Sequence, residues 1–319
     1  MLLWAFATKD FFHMPLISCL AVLGLIVGLF VERNTLASRA FNRILSKILV
    51  QLIYPCLIFS ALLQRFHWQE LEPLILLPFT IFFICAAGYV FGRLTVPRTG
   101  LSQNSTQRSY VFLAIMPNYS FVPLIIAQAI WGDKGVALVA LSSVGADLFL
   151  WTFAYPVIAG KREWKKVFSP ALLTILLALV LLSLDVDTKN GFFEPLLFVM
   201  GLIGKATLPL SMYVLGCQLA RAGGKLSYPR AQKILLLWRL MLCPLLMLGM
   251  ILSVGTALPY EAKAIALIIA SMPGAIVTVV LAELHDADGL FAASQILYGH
   301  VLGLATVAMW QGLLYLAIR

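Results

Sequence analysis

The sequence predicts an all-α integral membrane protein with ten spanning helices. Three observations carry that expectation: apolar runs of spanning length, sparse charge, and basic residues gathered in alternate loops. Of the 319 residues, 61% are hydrophobic and 12% charged, with a mean hydropathy of +0.96. A soluble fold of this size needs more charge to cover its surface. Runs of about 20 apolar residues, enough to cross a ~30 Å hydrocarbon core, follow one another along the chain. They are continuous and do not alternate with a period of two, so they read as helices and not as barrel strands.

Breaks at charged or Gly/Pro-rich stretches place the spans at 12–31, 43–64, 72–92, 109–131, 136–159, 168–184, 192–219, 231–254, 262–283 and 290–316. The first run is too long for a signal-peptide core. Glu32, Arg33 and Asn34 follow it where a cleavage site would need small residues, so it is expected to remain as the first span. Every loop is short, which leaves no room for a soluble domain. Loops after spans one, three, five and seven hold fifteen Lys and Arg, against six on the opposite side. The positive-inside rule then puts both termini outside the cytoplasm and the 161–166 loop inside. This distribution accounts for the net charge of +9. No basic groove with interleaved aromatics is present, so nucleic acid is not an expected partner. Cys19, Cys56, Cys85, Cys217 and Cys243 lie in apolar stretches without Cys-x-x-Cys spacing or a nearby His cluster. They read as packing residues; no metal site and no cofactor is expected.

The two halves resemble each other. A shift of 154 residues sets Pro55 on Pro209, Gln64 on Gln218, Gly135 on Gly289, Gly145 on Gly299 and Thr152 on Thr306. Met116-Pro117 and Met272-Pro273 match with a two-residue slip. Five spans per half is an odd number, so the second half is expected to enter the membrane upside down. The halves are 1–160 and 161–319, an inverted-repeat plan shared by many secondary transporters.

Proline marks the candidate site. Span four reads Ala114-Ile-Met-Pro-Asn-Tyr-Ser-Phe-Val-Pro-Leu124, and span nine reads Ala270-Ser-Met-Pro-Gly-Ala-Ile-Val-Thr278. Pro117, Pro123 and Pro273 each remove a backbone donor and clash with the preceding turn. Matching interruptions in corresponding spans point to a midplane site, where freed amides and helix N-termini favour an anion. The candidate binding residues are therefore Pro117, Asn118, Tyr119, Ser120, Pro123, Pro273, Gly274 and Thr278. The plain alternative is a pair of proline kinks, which membrane helices tolerate.

Several ionisable residues lie within spans, where a charge at the helix centre costs about 2.5–3.5 kcal/mol on insertion scales. Asp147 and His300 fall near the middle of spans five and ten, at pseudo-symmetric depth. They read either as a proton relay or as polar fasteners between helices. Lys205 is placed to attract a carboxylate or to form a structural salt bridge. Arg239 lies two turns into span eight, where a long side chain can snorkel to the cytoplasmic surface. Gln64 and Gln218 read as vestibule lining or as interfacial residues.

With these residues in view, the chain resembles the auxin efflux carrier family, whose bacterial members include malonate and related organic-anion transporters. The resemblance covers essentially the full length. It rests on Tyr54-Pro-Cys-Leu-Ile-Phe59, Asn118-Tyr-Ser-Phe, Gly132-Asp-Lys-Gly135, Leu208-Pro-Leu with Leu215-Gly216, Arg239 five residues before Pro244, and Pro273. It implies two inverted five-helix repeats with helices four and nine unwound and crossing at the centre. Asn118 matches the asparagine that the family places at this crossover to help hold a substrate carboxylate. One departure stands out: Pro123 occupies the family's glycine position and Ile125 its proline position, which moves the expected break earlier along the helix. The resemblance also implies a homodimer, with contacts near Pro55 and Pro209, and a bacterial inner (plasma) membrane location.

The function these readings favour is a secondary carrier of small organic anions, mono- or dicarboxylates, working by alternating access and proton-linked or uniporting. A sodium-coupled symporter of the bile-acid type is the alternative, although the ninth span offers only Ser271 and Thr278 near its break. A channel or a substrate-sensing membrane protein is a further one. An enzyme is not expected: His-Glu-x-x-His, paired intramembrane aspartates and Gly-x-Ser-x-Gly are all missing from the sequence.

Overall fold

The computed structural model describes residues 23–24, 26–31, 38–71, 73–162, 168–188, 191–221, 228–254 and 257–318. Most of the expected first span lies outside the described residues. So do Lys9, Cys19, Arg33, Lys165, Lys166, Lys189, Lys225 and Arg319. Among the described residues every regular element is a helix. In chain order the main ones are α1 (Ile44–Arg65), α2 (Pro73–Arg98), α3 (Asn104–Ile115), α4 (Phe121–Ala159) and α5 (Pro170–Ser183). They continue with α6 (Phe193–Val214), α7 (Pro229–Ser253), α8 (Tyr260–Ala270), α9 (Val277–Leu284) and α10 (Gly289–Ile318).

Six of them, α1, α2, α4, α6, α7 and α10, are long and apolar enough to cross a bilayer. The others are shorter, for different reasons. Helix α5 is a single apolar stretch of 14 residues opened by a cap, in which the Ser169 hydroxyl accepts from the Leu172 amide at 3.1 Å. The pairs α3/α4 and α8/α9 are each separated by a non-helical segment, at 116–120 and 271–276. These are the segments where the sequence places its proline breaks. Helix α4 holds the end of the expected fourth span and all of the fifth. Its backbone leaves helical geometry at Gly132, with φ 58° and ψ −144°, a conformation that a residue without Cβ adopts freely.

Proline also shapes the long helices. Wider, π-helical turns occupy Leu49–Ile53, Leu150–Ala154 and Trp238–Leu242. Each ends two residues before a proline: Pro55, Pro156 and Pro244. A proline lacks the N–H that would close the preceding turn, and its ring crowds the carbonyl four residues back. Widening that turn relieves the crowding without ending the helix.

Burial separates centre from periphery. Residues 109–118 and 264–276 are buried throughout, so the interrupted segments form the middle of the molecule. Helix α8 packs against α2, α4, α7 and α10, and α3 packs against α2 and α10. The long helices turn large apolar side chains outward, among them Phe79 at 67% and Leu304 at 72% exposure, a surface suited to lipid.

Candidate functional site

The two interruptions meet. The Asn118 amide donates to the Pro273 carbonyl at 2.8 Å, and the Ala275 amide donates to the Met116 carbonyl at 2.9 Å. Together they form an isolated antiparallel bridge between Pro117 and Gly274. An interrupted helix inside a bilayer leaves carbonyls that must find partners within the protein. Helix α7 supplies two of them. Trp238 donates from Nε1 to the Ala114 carbonyl at 2.9 Å, and Arg239 donates from Nε and Nη2 to the Met272 carbonyl at 3.2 and 3.1 Å. Trp310 on α10 donates to the Leu240 carbonyl at 2.8 Å, the group that Pro244 leaves without its helical donor. Gly299 lets α10 lie directly on the crossing, since a Cβ there would stand 2.6 Å from the Pro273 Cβ.

Side chains of the first interruption reach both neighbouring helices. Asn118, 3% exposed, sets its Nδ2 3.0 Å from His300 Nε2. The other ring nitrogen of His300, Nδ1, lies 2.8 Å from the Ile296 carbonyl. A carbonyl only accepts, so Nδ1 carries the hydrogen, and in the neutral ring Nε2 accepts from Asn118. The next residue turns the other way: Tyr119 donates its hydroxyl to Asp147 Oδ1 at 2.6 Å. Among the described residues the backbone amides of Tyr119 and Ser120 have no protein acceptor. They immediately precede α4, whose N-terminus adds partial positive charge.

A cavity of about 180 Å³ lies beside the crossing. Val122, Ile126, Ile268 and Met272 give it apolar walls; His300 and Gln311 are its polar members. A larger groove of about 1010 Å³ lies between α2, α4 and α5, lined by groups such as Phe79, Phe82, Leu148 and Val180. It holds none of the expected site residues and opens among lipid-facing side chains.

The structure brings Pro117, Asn118, Tyr119, Ser120, Pro273 and Gly274 together. Pro123 stands apart from the break, in the first turn of α4, where a missing N–H leaves no helical bond unmade. Thr278 is fully buried and donates its hydroxyl back to the Ala275 carbonyl at 2.6 Å, so its polar group is spent within its own segment. Asp147 and His300 do not bond to each other; each is held by a different residue of the 116–120 segment. Arg239 does not snorkel to a surface: it is 1% exposed and turned inward to Met272. Lys205 is exposed at a turn that interrupts α6 at Lys205 and Ala206, away from the crossing. Gln64 donates to the Leu197 carbonyl at 3.4 Å, which ties α1 to α6. The sequence reading missed Trp238 and Trp310. A signal existed for the tryptophans, since indoles favour the membrane interface and one far from a span end needs a buried acceptor.

The far ends of the interrupted helices are tied as well. Near the start of α3, Arg108 donates to the carbonyls of Ile158, His285 and Asp286 at 2.9, 3.0 and 2.6 Å, and Thr106 donates to Asp288 at 2.8 Å. At the opposite end, Arg65 pairs with Asp133 at 2.6 Å and Lys134 pairs with Glu261 at 2.9 Å.

Comparison with known proteins agrees with this picture. A family model described as "Membrane transport protein" matches twice, over residues 14–163 and over residues 156–311. An uncharacterized transporter of Methanocaldococcus jannaschii is 23% identical over 91% of this chain and 95% of its own length. An uncharacterized transporter of Methanothermobacter thermautotrophicus is 26% identical over 84% of this chain and 87% of its own.

Proposed function

We propose, from the premise that the chain belongs to the membrane transport protein family of the auxin efflux carriers, that it is a secondary carrier of small organic anions. Mono- and dicarboxylates are the substrate class, and alternating access about the crossing is the mechanism. The observation that carries this reading is the crossing itself. Two interrupted segments at the protein's centre are joined by two backbone hydrogen bonds, with open amides and the Asn118 side chain at the junction. Neutral donors next to a helix N-terminus hold a carboxylate without a full opposing charge, so the site can also release it. In this reading Pro117, Asn118, Tyr119, Ser120, Pro273 and Gly274 form the binding region, and the small cavity admits the rest of the anion.

The architecture that goes with this mechanism is ten spans in two inverted five-helix repeats, 1–160 and 161–319. The separate family match to each half and the 154-residue internal likeness support it. So does the pairing of one break from each half. Alternating access then means that the ties at one end of the interrupted helices hold while those at the other end open.

The test uses purified protein in proteoliposomes, with labelled acetate, pyruvate, malonate and succinate offered in counterflow. Saturable exchange of at least one acid, weakened in Asn118→Ala protein, is the expected result. Flux that never saturates would indicate a channel. Absence of exchange for all four acids, or an unaffected Asn118→Ala protein, would remove this reading.

A further inference from the structure

The geometry around His300 bears on what travels with the anion, and the inference drawn from it rests on the carrier reading above. In the structure the Asn118 amide is already engaged: its Nδ2 donates to His300 Nε2 at 3.0 Å, while His300 Nδ1 donates to the Ile296 carbonyl at 2.8 Å. The Ile296 carbonyl fixes which nitrogen of the neutral ring carries the hydrogen. Only Nε2 is left to take up a proton, and Nε2 is the atom that Asn118 occupies.

We infer that His300 is the proton-carrying group of the transport cycle, and that proton and substrate anion are coupled through the orientation of the Asn118 amide. A proton added to the Nε2 lone pair makes both ring nitrogens donors. An N–H on Nε2 cannot face the N–H of Asn118, so the amide turns half a revolution about its last side-chain bond. Its Oδ1 then accepts from Nε2, and both hydrogens of Nδ2 point away from the ring. They join the open amides of Tyr119 and Ser120 as donors to a carboxylate. The one bond formed is the new N–H, and the one broken is an O–H of the hydronium ion that delivers the proton and leaves as water.

The surroundings favour this coupling. Toward His300, α4 presents Val122 and Ile126, α8 presents Ile268, and the second interruption presents Met272 and Pro273. On its own helix the cavity is lined by Gly303 and Val307. None of these is titratable. The charged groups nearby in the crossing are committed elsewhere, Arg239 to the Met272 carbonyl and Asp147 to Tyr119. An imidazolium in such apolar walls has no resident counter-ion among the described residues, so the substrate carboxylate becomes that counter-ion. By linkage, the anion raises the proton affinity of His300 by the same factor by which the proton raises anion affinity. A monocarboxylate then crosses with one proton and moves no net charge. Asp147, which the sequence presents as the other half of a relay, serves instead to position Tyr119.

The test has two arms. In proteoliposomes, counterflow and net uptake of the same four labelled acids are measured with and without an imposed proton gradient, and uptake by protein-free vesicles is subtracted. For the wild type, a gradient acid on the uptake side should raise initial uptake by roughly tenfold, within the usual range for coupled sites. In His300→Gln protein, whose amide accepts from Asn118 but takes no proton, the ratio of driven to undriven uptake should fall to about one. In the second arm, each acid is added to purified protein in weak buffer. The wild type should take up a proton on binding, and His300→Gln should not. If the two proteins show equal gradient ratios or equal proton uptake, or if the wild type shows neither effect while still exchanging an acid, the coupling assignment is overturned and the carrier reading stands. If the wild type binds and exchanges none of the four acids, the carrier reading falls and this inference falls with it.

Discussion

The two interruptions at the crossing are alike in backbone and unlike in side chains. Each contains a Met-Pro pair, and each gives and receives one hydrogen bond across the bridge. Yet the first carries Asn118 and Tyr119, whose polar groups reach out to His300 and Asp147. In the second, Ser271 turns its hydroxyl back to the Leu267 carbonyl, Met272 to Ile276 carry no polar side chain, and the segment is gripped from outside by Arg239. The likeness holds where it shapes the backbone and fails where it supplies polar side chains. On the carrier reading proposed above, one segment is the recognition surface and the other a braced floor.

The strongest way to break this division is to remove the brace. Arg239→Ala deletes two hydrogen bonds from a charged donor to the Met272 carbonyl and leaves that carbonyl without a partner. A loss of about 3 kcal/mol is expected, with transport lost as well, because hydrogen bonds to charged groups are worth roughly 1.5–3 kcal/mol each and relief of the buried charge offsets part of the pair. Thermal unfolding in detergent reads it. A variant as stable as wild type would mean that the second segment holds its shape unaided.

Asn118→Ala tests the other side. Substrate binding should weaken by about 1–3 kcal/mol, the cost of losing a hydrogen bond to a charged acceptor. As an open donor in a hydrated gap, Asn118 would contribute little to the fold. In the structure it is buried and bonded to His300, so a stability cost of about 1 kcal/mol should accompany the binding loss. Calorimetric titration and thermal unfolding separate the two effects. A stability loss without any binding loss would make the first segment a brace too.

These expectations show which parts of the molecule were legible in the residues. Pro117 and Pro273 announced both interruptions, because a missing N–H and a ring clash act locally and need no knowledge of neighbours. Pro123 misled for the same reason taken one step too far: its effect depends on where the helix starts, and α4 begins only two residues before it. The partners of the site were not legible. Asn118 and His300 lie 182 residues apart, and position within a span does not say which way a side chain points. Arg239 was misread on that account. Its depth suited snorkelling, but the unpartnered Met272 carbonyl that draws it inward exists only once α8 has ended.

A smaller effect separates Tyr119, in the first interruption, from its partner Asp147 on α4. Tyr119→Phe removes the donor and leaves a carboxyl 6% exposed without that bond, which should cost about 1–3 kcal/mol. Asp147→Asn keeps a carbonyl oxygen to accept from Tyr119 and should cost less than about 1 kcal/mol. Paired thermal scans give the ordering. The reverse ordering would mean that the carboxylate itself, and not its hold on Tyr119, matters to the fold.

The smallest expected effect lies at the far end of the second interrupted helix, where Lys134, just past the Gly132 turn of α4, meets Glu261 at the start of α8. The hydrogen bond from Lys134 is the main cause that holds the Glu261 carboxyl below its ordinary range, with a backbone hydrogen bond as the next contribution. A carboxyl depressed on folding stabilises the fold when ionised. That contribution is complete above its unfolded value of about 4.3 and fades as pH falls through the lower folded value. Both side chains are substantially open to solvent, at 49% and 28%, so screening keeps the pair to no more than about 0.5 kcal/mol. Lys134→Gln should therefore lower the unfolding temperature slightly at pH 7, and the difference from wild type should close as both are taken below about pH 4. High salt should close it too. A loss as large as that of Arg239→Ala would relocate the brace from the crossing to the helix end. The second segment would then be held by an exposed tie that solvent can compete for, and its buried backbone would no longer count as a fixed floor.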